Sequence, residues 1–390
     1  MKKAILKKAA ITSMALLTLA GGASSAFADR GQEDNKRDND KHSINLHFKD
    51  EKELKWALEY IIRLASKGVF NGYEDGTFKP AQKISRIESI VAAVRLKGLK
   101  EQAESQAEMS TKLNFKDADL LKKKYPWAVG YVAVALENDL FSETESLIQP
   151  DKPATRLFAA TLLVKALGLE EEAKAAANAE LSFRDAGKIP AGSVGYVKVA
   201  LEKGLIKGYE DRTFRPNQPV TRAELAALLD RTDEQLPDQD ATAITGKLKA
   251  APSGGAIVVV KPDNSEVALA LDPGVFIFRD NVKAPVTALQ AGDEVLVRTF
   301  QNKVVFIEVT KNAPAVITEA GKFSSLSLNA EGKIATISFT KDVNGSTQAY
   351  VLNVSPDAGI VGGTAAQLIA GQNIELIIVN NVVVTIKIVA

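Results

Sequence analysis

The chain has 390 residues, 46% hydrophobic and 25% charged, enough to bury several separate cores. Its formal charge of +1 becomes −3, with 45 basic against 48 acidic residues, once the four lysines of the N-terminal segment are set aside. That balance leaves no field for gripping nucleic acid or an anionic membrane, and the absence of cysteine excludes disulfides, thiolate catalysis and cysteine-ligated zinc.

Lys2, Lys3, Lys7 and Lys8 precede an apolar run over 9–19 and small residues ending in Ala26-Phe27-Ala28. The run is too short to span hydrocarbon, so the pattern predicts a secretory signal peptide over 1–28 and no membrane insertion after its cleavage. Residues 29–43 (DRGQEDNKRDNDKHS) carry almost no apolar side chain and read as a disordered spacer.

Three similar units follow. Phe48-Lys49-Asp50 recurs as Phe115-Lys116-Asp117 and as Phe183-Arg184-Asp185, and a fixed period of this kind marks a repeated structural unit. Amphipathic segments come after each, over 56–64, 127–136 and 194–201; the spacing of Trp56, Tyr60 and Leu64 predicts helix. Gly68 and Gly204 supply left-handed caps. Loops then run over 71–80 (NGYEDGTFKP) and 207–216 (KGYEDRTFRP), where Asp and Gly favour a tight turn that the aromatics pin to a core. Ser85-Arg86-Ile87-Glu88 and Thr221-Arg222-Ala223-Glu224 have the S/T-x-x-E pattern of a capping box, so each starts a helix.

These motifs, in this order, resemble the S-layer homology family, with its F-x-D start, W-A helix, G-Y-x-D-G-T-F-x-P loop and I-T-R-A-E helix start. The resemblance covers about 44–236, with repeats at 44–105, 106–175 and 176–237. It implies a pseudo-threefold helical trimer whose grooves bind secondary cell-wall polysaccharide, often bearing pyruvate ketals. The middle repeat departs from the pattern: its loop over 141–150 reads FSETESLIQP, and Phe158 replaces the capping Glu. In the third repeat Gly192 stands where the helix tryptophan would be.

The resemblance makes nine residues candidates for polysaccharide binding. Arg86, Arg156 and Arg222 each follow a helix cap, where a guanidinium can fork onto a carboxylate and the helix N-terminus adds to the attraction; the alternative is a pair with a neighbouring Asp that holds the loop. Asp75 and Asp211 accept from sugar hydroxyls or serve the turn. Trp56 and Trp127 stack on a sugar or belong to the core. Gly72 and Gly208 admit a close ligand or supply a positive φ.

Beyond Pro237 short apolar and alternating runs take over, as over 257–260, 267–271, 295–297 and 304–309, predicting an all-β region. Residues 289–295 align with 368–374 at an offset of 79, which Asn302 and Asn381, Ile307 and Ile386 also keep, while Gly246 and Gly321 stand 75 apart. Two tandem modules of about five strands, barrel or sandwich, are expected at 238–312 and 313–390. The two histidines, His42 and His47, stand before or at the very start of the first repeat, so no Ser-His-Asp triad or histidine metal site belongs to the β half. Asp293-Glu294 reads as a solvated turn.

The expected protein is an exported, nonenzymatic surface protein held noncovalently on wall polysaccharide. Its β modules serve as spacer, lattice or adhesive part, with self-association in a surface layer and neither cofactor nor metal. The alternative is a wall-anchored carbohydrate-active enzyme with its site in the β half.

Overall fold

The computed structural model describes residues 46–140, 146–236 and 243–389. The expected signal peptide, the spacer, loop residues 141–145 and the break at Pro237 lie outside the described residues. The chain divides into two compact units, Met1–Ala241 and Thr242–Ala390.

The first unit is helical. Its principal helices are α1 (Leu58–Ser66), α2 (Arg86–Leu96), α3 (Lys100–Ala103), α4 (Val129–Glu137), α5 (Arg156–Ala166), α6 (Glu170–Ala175), α7 (Val194–Glu202) and α8 (Arg222–Asp233). Ser85 and Thr221 complete the expected capping boxes with Glu88 and Glu224, while Thr155 caps α5 without one because Phe158 has no carboxylate to reach back. Gly68 and Gly204 take φ of 68°, ending α1 and α7; in the middle repeat Asp139 takes that place at φ 56°. Buried Ile61, Ile62, Ile90, Val91, Val94, Leu163, Val199 and Leu229 line the core between these helices.

The segments just before α2, α5 and α8 close on one another. Ile84 N–H donates to Val220 O at 3.1 Å, Val220 N–H to Ala154 O at 2.9 Å, and Ala154 N–H to Ile84 O at 2.8 Å. A second set returns the other way: Arg86, Arg156 and Arg222 N–H donate to Lys152, Gln218 and Gln82 O at 2.8, 2.9 and 2.9 Å. The opening N–H groups of the three helices, which a helix cannot satisfy internally, are thus taken by carbonyls of another repeat.

The helical unit holds one buried carboxyl out of balance. Asp230 on α8 is 3% exposed; its Oδ2 lies 3.5 Å from Arg63 Nη1 on α1 and accepts no hydrogen bond among the described residues. Burial raises its pKa from 3.8 to about 7; Arg63 opposes that, while Glu234, Asp233 and Glu59 add to it. A carboxyl protonated in the fold but ionised in the unfolded chain contributes stability at low pH that is lost as pH rises from about 4 through about 7. Each unit across that window is worth about 1.4 kcal/mol. Asp230→Asn should therefore flatten the fall of the helical unit's melting temperature between pH 4 and 8; parallel pH profiles of the two proteins would refute the assignment.

The second unit is all β, with strands β1 (Ile244–Leu248), β2 (Ala256–Val260), β3 (Glu266–Arg279), β4 (Val282–Lys283), β5 (Glu294–Phe300), β6 (Lys303–Lys311), β7 (Val316–Leu328), β8 (Ile334–Val343), β9 (Ser346–Val361), β10 (Asn373–Val379) and β11 (Val382–Ile388). The pairings β1–β2, β2–β3, β3–β6, β6–β5 and β5–β1 make a ring, with β4 as a short addition to β3. Strands β7, β8, β9, β11 and β10 close a barrel in the same order, and β3–β6 and β9–β11 are the parallel pairs. Both have the connectivity of a five-stranded Greek-key barrel of the oligonucleotide- and oligosaccharide-binding type, a likeness that specifies no ligand.

The duplication explains the drifting offset. Gly246 pairs with Val295 and Gly321 with Ile374, so the two glycines occupy one position of the barrel although 75 rather than 79 residues separate them. A Cβ on Gly246 would run into Val260 O, and one on Gly321 would stand 2.6 Å from the Phe339 ring and Thr340 O. Each barrel fills with its own apolar side chains, Ile277, Val297 and Ile307 in the first and Ile337, Leu376 and Ile386 in the second. Asp293 is not in a solvated turn. It is 0% exposed; Arg279 Nη1 and Nη2 donate to it at 2.6 and 3.1 Å, and the N–H groups of Gln290 and Ala313 at 2.7 and 2.8 Å. A chain turn beside Gly292 hid a carboxylate used to tie β3 to the start of the second module.

Candidate functional site

Each loop is held by the aspartate of its F-x-D motif. Phe78 and Lys79 N–H donate to the two oxygens of Asp50 at 2.8 and 2.7 Å, Ile148 and Gln149 to Asp117 at 2.8 and 2.7 Å, and Phe214 and Arg215 to Asp185 at 2.8 Å each. Burial pushes the Asp185 carboxyl up, but these two N–H groups outweigh it and hold it below the ordinary range. The paired bonds fix Lys79, Gln149 and Arg215 at φ of 56°, 53° and 58°, just before Pro80, Pro150 and Pro216. Sequence reading left these aspartates without a role; their threefold recurrence was the available signal.

The candidate arginines cross from one repeat to the loop of another. Arg222 Nε, Nη2 and Nη1 donate to Phe78 O at 2.8 Å, Asn71 O at 2.9 Å and Glu88 Oε1 at 3.1 Å, while its guanidinium lies 4.4–4.6 Å from the centres of Phe70, Tyr73 and Phe78. It is 0% exposed. Arg156 Nε and Nη2 donate to Phe214 O and Lys207 O, each at 2.9 Å, and its guanidinium faces Tyr209 at 4.5 Å. Arg86 Nε donates to Ile148 O at 2.9 Å, and its guanidinium lies 4.2 Å from the Phe158 ring. Repeat one therefore serves the loop of repeat two, repeat two that of repeat three, and repeat three that of repeat one. The opening N–H groups of the helices are already bonded, so they do not add the anion attraction that helix position suggested.

Asp75 and Asp211 work within their own loops. Asp75 Oδ1 accepts from Thr77 N and Oγ1 at 2.9 and 2.5 Å, and Oδ2 meets Lys79 at 3.0 Å. Asp211 repeats the pattern with Thr213 and Arg215, and the Thr213 hydroxyl with Arg215 beside it pushes its pKa down to about 2. Gly72 and Gly208 do not have positive φ; a Cβ there would stand 2.6 Å from the Phe48 ring and 2.5 Å from the Phe183 ring, so glycine lets the F-x-D phenylalanine seat beneath the loop. Trp56 is 60% exposed, with Tyr60 edge-on at 6.2 Å, which removes it from the core. Trp127 is half-buried between Tyr125 and Tyr131. Among the described residues no group of three or more His, Asp or Glu side chains is placed to hold a metal ion, and no helix is long and apolar enough to cross a membrane.

Comparison with known proteins gives this architecture a family. The S-layer homology domain matches residues 47–88 and 182–226, the stretches that carry the first and third loops. A surface-layer 125 kDa protein of Lysinibacillus sphaericus is 29% identical over 327 residues, spanning 77% of this chain and 26% of the relative. That span is longer than the helical unit, so part of the β unit is matched as well. A cellulosome-anchoring protein of Acetivibrio thermocellus is 34% identical over 169 residues, 43% of this chain and 35% of the relative. An endoglucanase of a Bacillus species is 24% identical over 237 residues, 60% of this chain and 24% of the relative. The chain thus spans about a quarter to a third of the length of these relatives. With two matched domains, and loops and capping boxes built alike in both, the chain carries S-layer homology domains and belongs to the cell wall or cell surface.

Proposed function

We propose that the helical unit is a pseudo-threefold assembly of three S-layer homology repeats that anchors the chain noncovalently to secondary cell-wall polysaccharide. The two barrels are then the spacer, lattice or adhesive part. The observation that carries this reading is the cyclic exchange of arginines: Arg86, Arg156 and Arg222 each enter the loop of another repeat, which ties the three into one assembly rather than three independent modules. The junctions between repeats bring guanidinium groups and aromatic rings together, the combination that suits an acidic sugar. The likeness to an endoglucanase leaves a wall-anchored enzyme as the alternative, but the fully buried carboxylate of the β unit, Asp293, is occupied by Arg279 and backbone N–H groups.

The test is co-sedimentation of the chain with wall sacculi before and after the polysaccharide is stripped by acid. Binding that disappears with the polysaccharide is the expected result. Undiminished binding to stripped sacculi, or release of sugar from intact ones, would overturn it.

A further inference from the structure

We propose that Asp293 and Arg279 lock the joint between the two barrels, so that the second barrel is carried at a fixed orientation on the first and the β unit moves as one rigid body. This goes beyond the anchoring reading and does not depend on it.

The link between the barrels is Asn312-Ala313-Pro314-Ala315, between the end of β6 at Lys311 and the start of β7 at Val316. A free link of that kind would let the barrels swing against each other. Here every residue is held. Asn312 Nδ2 donates to Asp280 Oδ1 of the first barrel at 2.7 Å, and Ala313 N–H donates to Asp293 Oδ1 at 2.8 Å. Pro314 has its φ set by its own ring and restricts Ala313 before it. Ala315 O accepts from Asn380 N–H of the second barrel at 3.2 Å. The start of the link thus belongs to one barrel and its end to the other, with a proline between them that leaves few torsions free.

The duplication shows which part of this is an addition. Residues 289–295 align with 368–374, so Asp293 corresponds to Gln372. Gln372 Oε1 accepts from Ile369 N–H at 3.2 Å, as Asp293 Oδ2 accepts from Gln290 N–H at 2.7 Å, and that contact serves the turn in both copies. Asp293 takes on more: Arg279 Nη1 and Nη2 donate to it at 2.6 and 3.1 Å, and Ala313 N–H completes the set. Arg279 pairs with Val309; beside the matching Ile388 stands Gly362, which has no side chain to offer. Burying a carboxylate is costly unless it is paired and hydrogen-bonded, and here four donors meet its two oxygens. Arg279 Nη1 also donates to Ala288 O at 3.0 Å, which aims the fork. Burial pushes the Asp293 carboxyl up, but Arg279 and the N–H groups of Ala313 and Gln290 hold it below the ordinary range. A turn needs only the one acceptor that Gln372 supplies, whereas a joint needs the rest.

The chain has no cysteine, so a pair of spin labels can be introduced without background. Lys303→Cys on the first barrel and Ser346→Cys on the second, both exposed, carry the labels in the full chain. Pulsed electron resonance should give a single distance distribution no wider than that of two labels on one barrel, Glu331→Cys with Ser346→Cys. Arg279→Ala with Asp293→Gln gives the first barrel the amide that the second carries. It should widen the distribution between barrels about threefold, leave the one within the second barrel unchanged, and keep the β-type melting transition near the parent's. Asn312→Ala with Pro314→Gly leaves the buried pair intact and frees the link itself, and should widen the same distribution about twofold. A parent distribution as broad as a free link allows, or one that stays narrow in the folded Arg279 and Asp293 variant, overturns the proposal. Should that variant not fold, an unchanged distribution after freeing the link overturns it instead.

Discussion

Arg222→Ala should destabilise the helical unit by about 3–5 kcal/mol, the range for breaking a buried ion pair by removing one partner. The side chain is 0% exposed and gives up three hydrogen bonds at once, to Phe78 O, Asn71 O and Glu88. It also leaves a hole beneath three aromatic rings, Phe70, Tyr73 and Phe78. Its position makes the loss global: Arg222 stands on the last principal helix and locks the first loop, so it joins the two ends of the helical chain. Glu88→Gln in the same protein should recover part of the loss, because a neutral amide tolerates the vacated site better than an uncompensated carboxylate. Denaturant unfolding followed by the helical circular dichroism signal measures both. A cost under about 1 kcal/mol for Arg222→Ala would mean that the loop has another closure.

Gly130→Ala and Gly195→Ala should each cost about 3 kcal/mol, at the upper end of overpacking effects. Helices α4 (VGYVAVALE) and α7 (VGYVKVALE) are nearly identical, and each places its glycine against the end of a shorter helix. A Cβ at Gly130 would overlap Ala103 O, and one at Gly195 would overlap Ala173 O. The obstruction in both is backbone, which cannot rotate away as a side chain would, so α4 and α3, or α7 and α6, must move apart. Gly192→Ala is the control: nothing lies within 4 Å of a Cβ there, and its melting temperature should stay near the parent's. For the two helical glycines the same cost corresponds to a fall of roughly 6–12 °C in the helical transition. Equal melting of all three variants would show that the helix pairs can separate without penalty.

Local signals carried far in this chain because they are repeated. A hydroxyl three residues before a glutamate, as in Ser85 and Glu88, needs only the geometry of one helical turn, and the structure places both capping boxes where the pattern put them. The 79-residue duplication likewise reappears as strand pairs β5–β6 and β10–β11, since hairpin register follows from short-range spacing.

What the sequence by itself determined is therefore the set of parts: helix starts and stops, the change from helical to β texture, and the family that the recurring motifs resemble. Only the tertiary structure decided how the parts are exchanged. Arg156 stands in the repeat with the irregular loop, yet its guanidinium reaches the regular loop over 207–216, while Arg86 is the residue that meets the irregular one. Asp293 looked solvated beside a glycine turn and is fully enclosed. The physical reason is the same in both: a cap or a turn is fixed by hydrogen bonds spanning a few residues, whereas the partner of a buried charge is set by which distant carbonyl or carboxylate the packed core brings within about 3 Å, a distance that sequence separation does not encode.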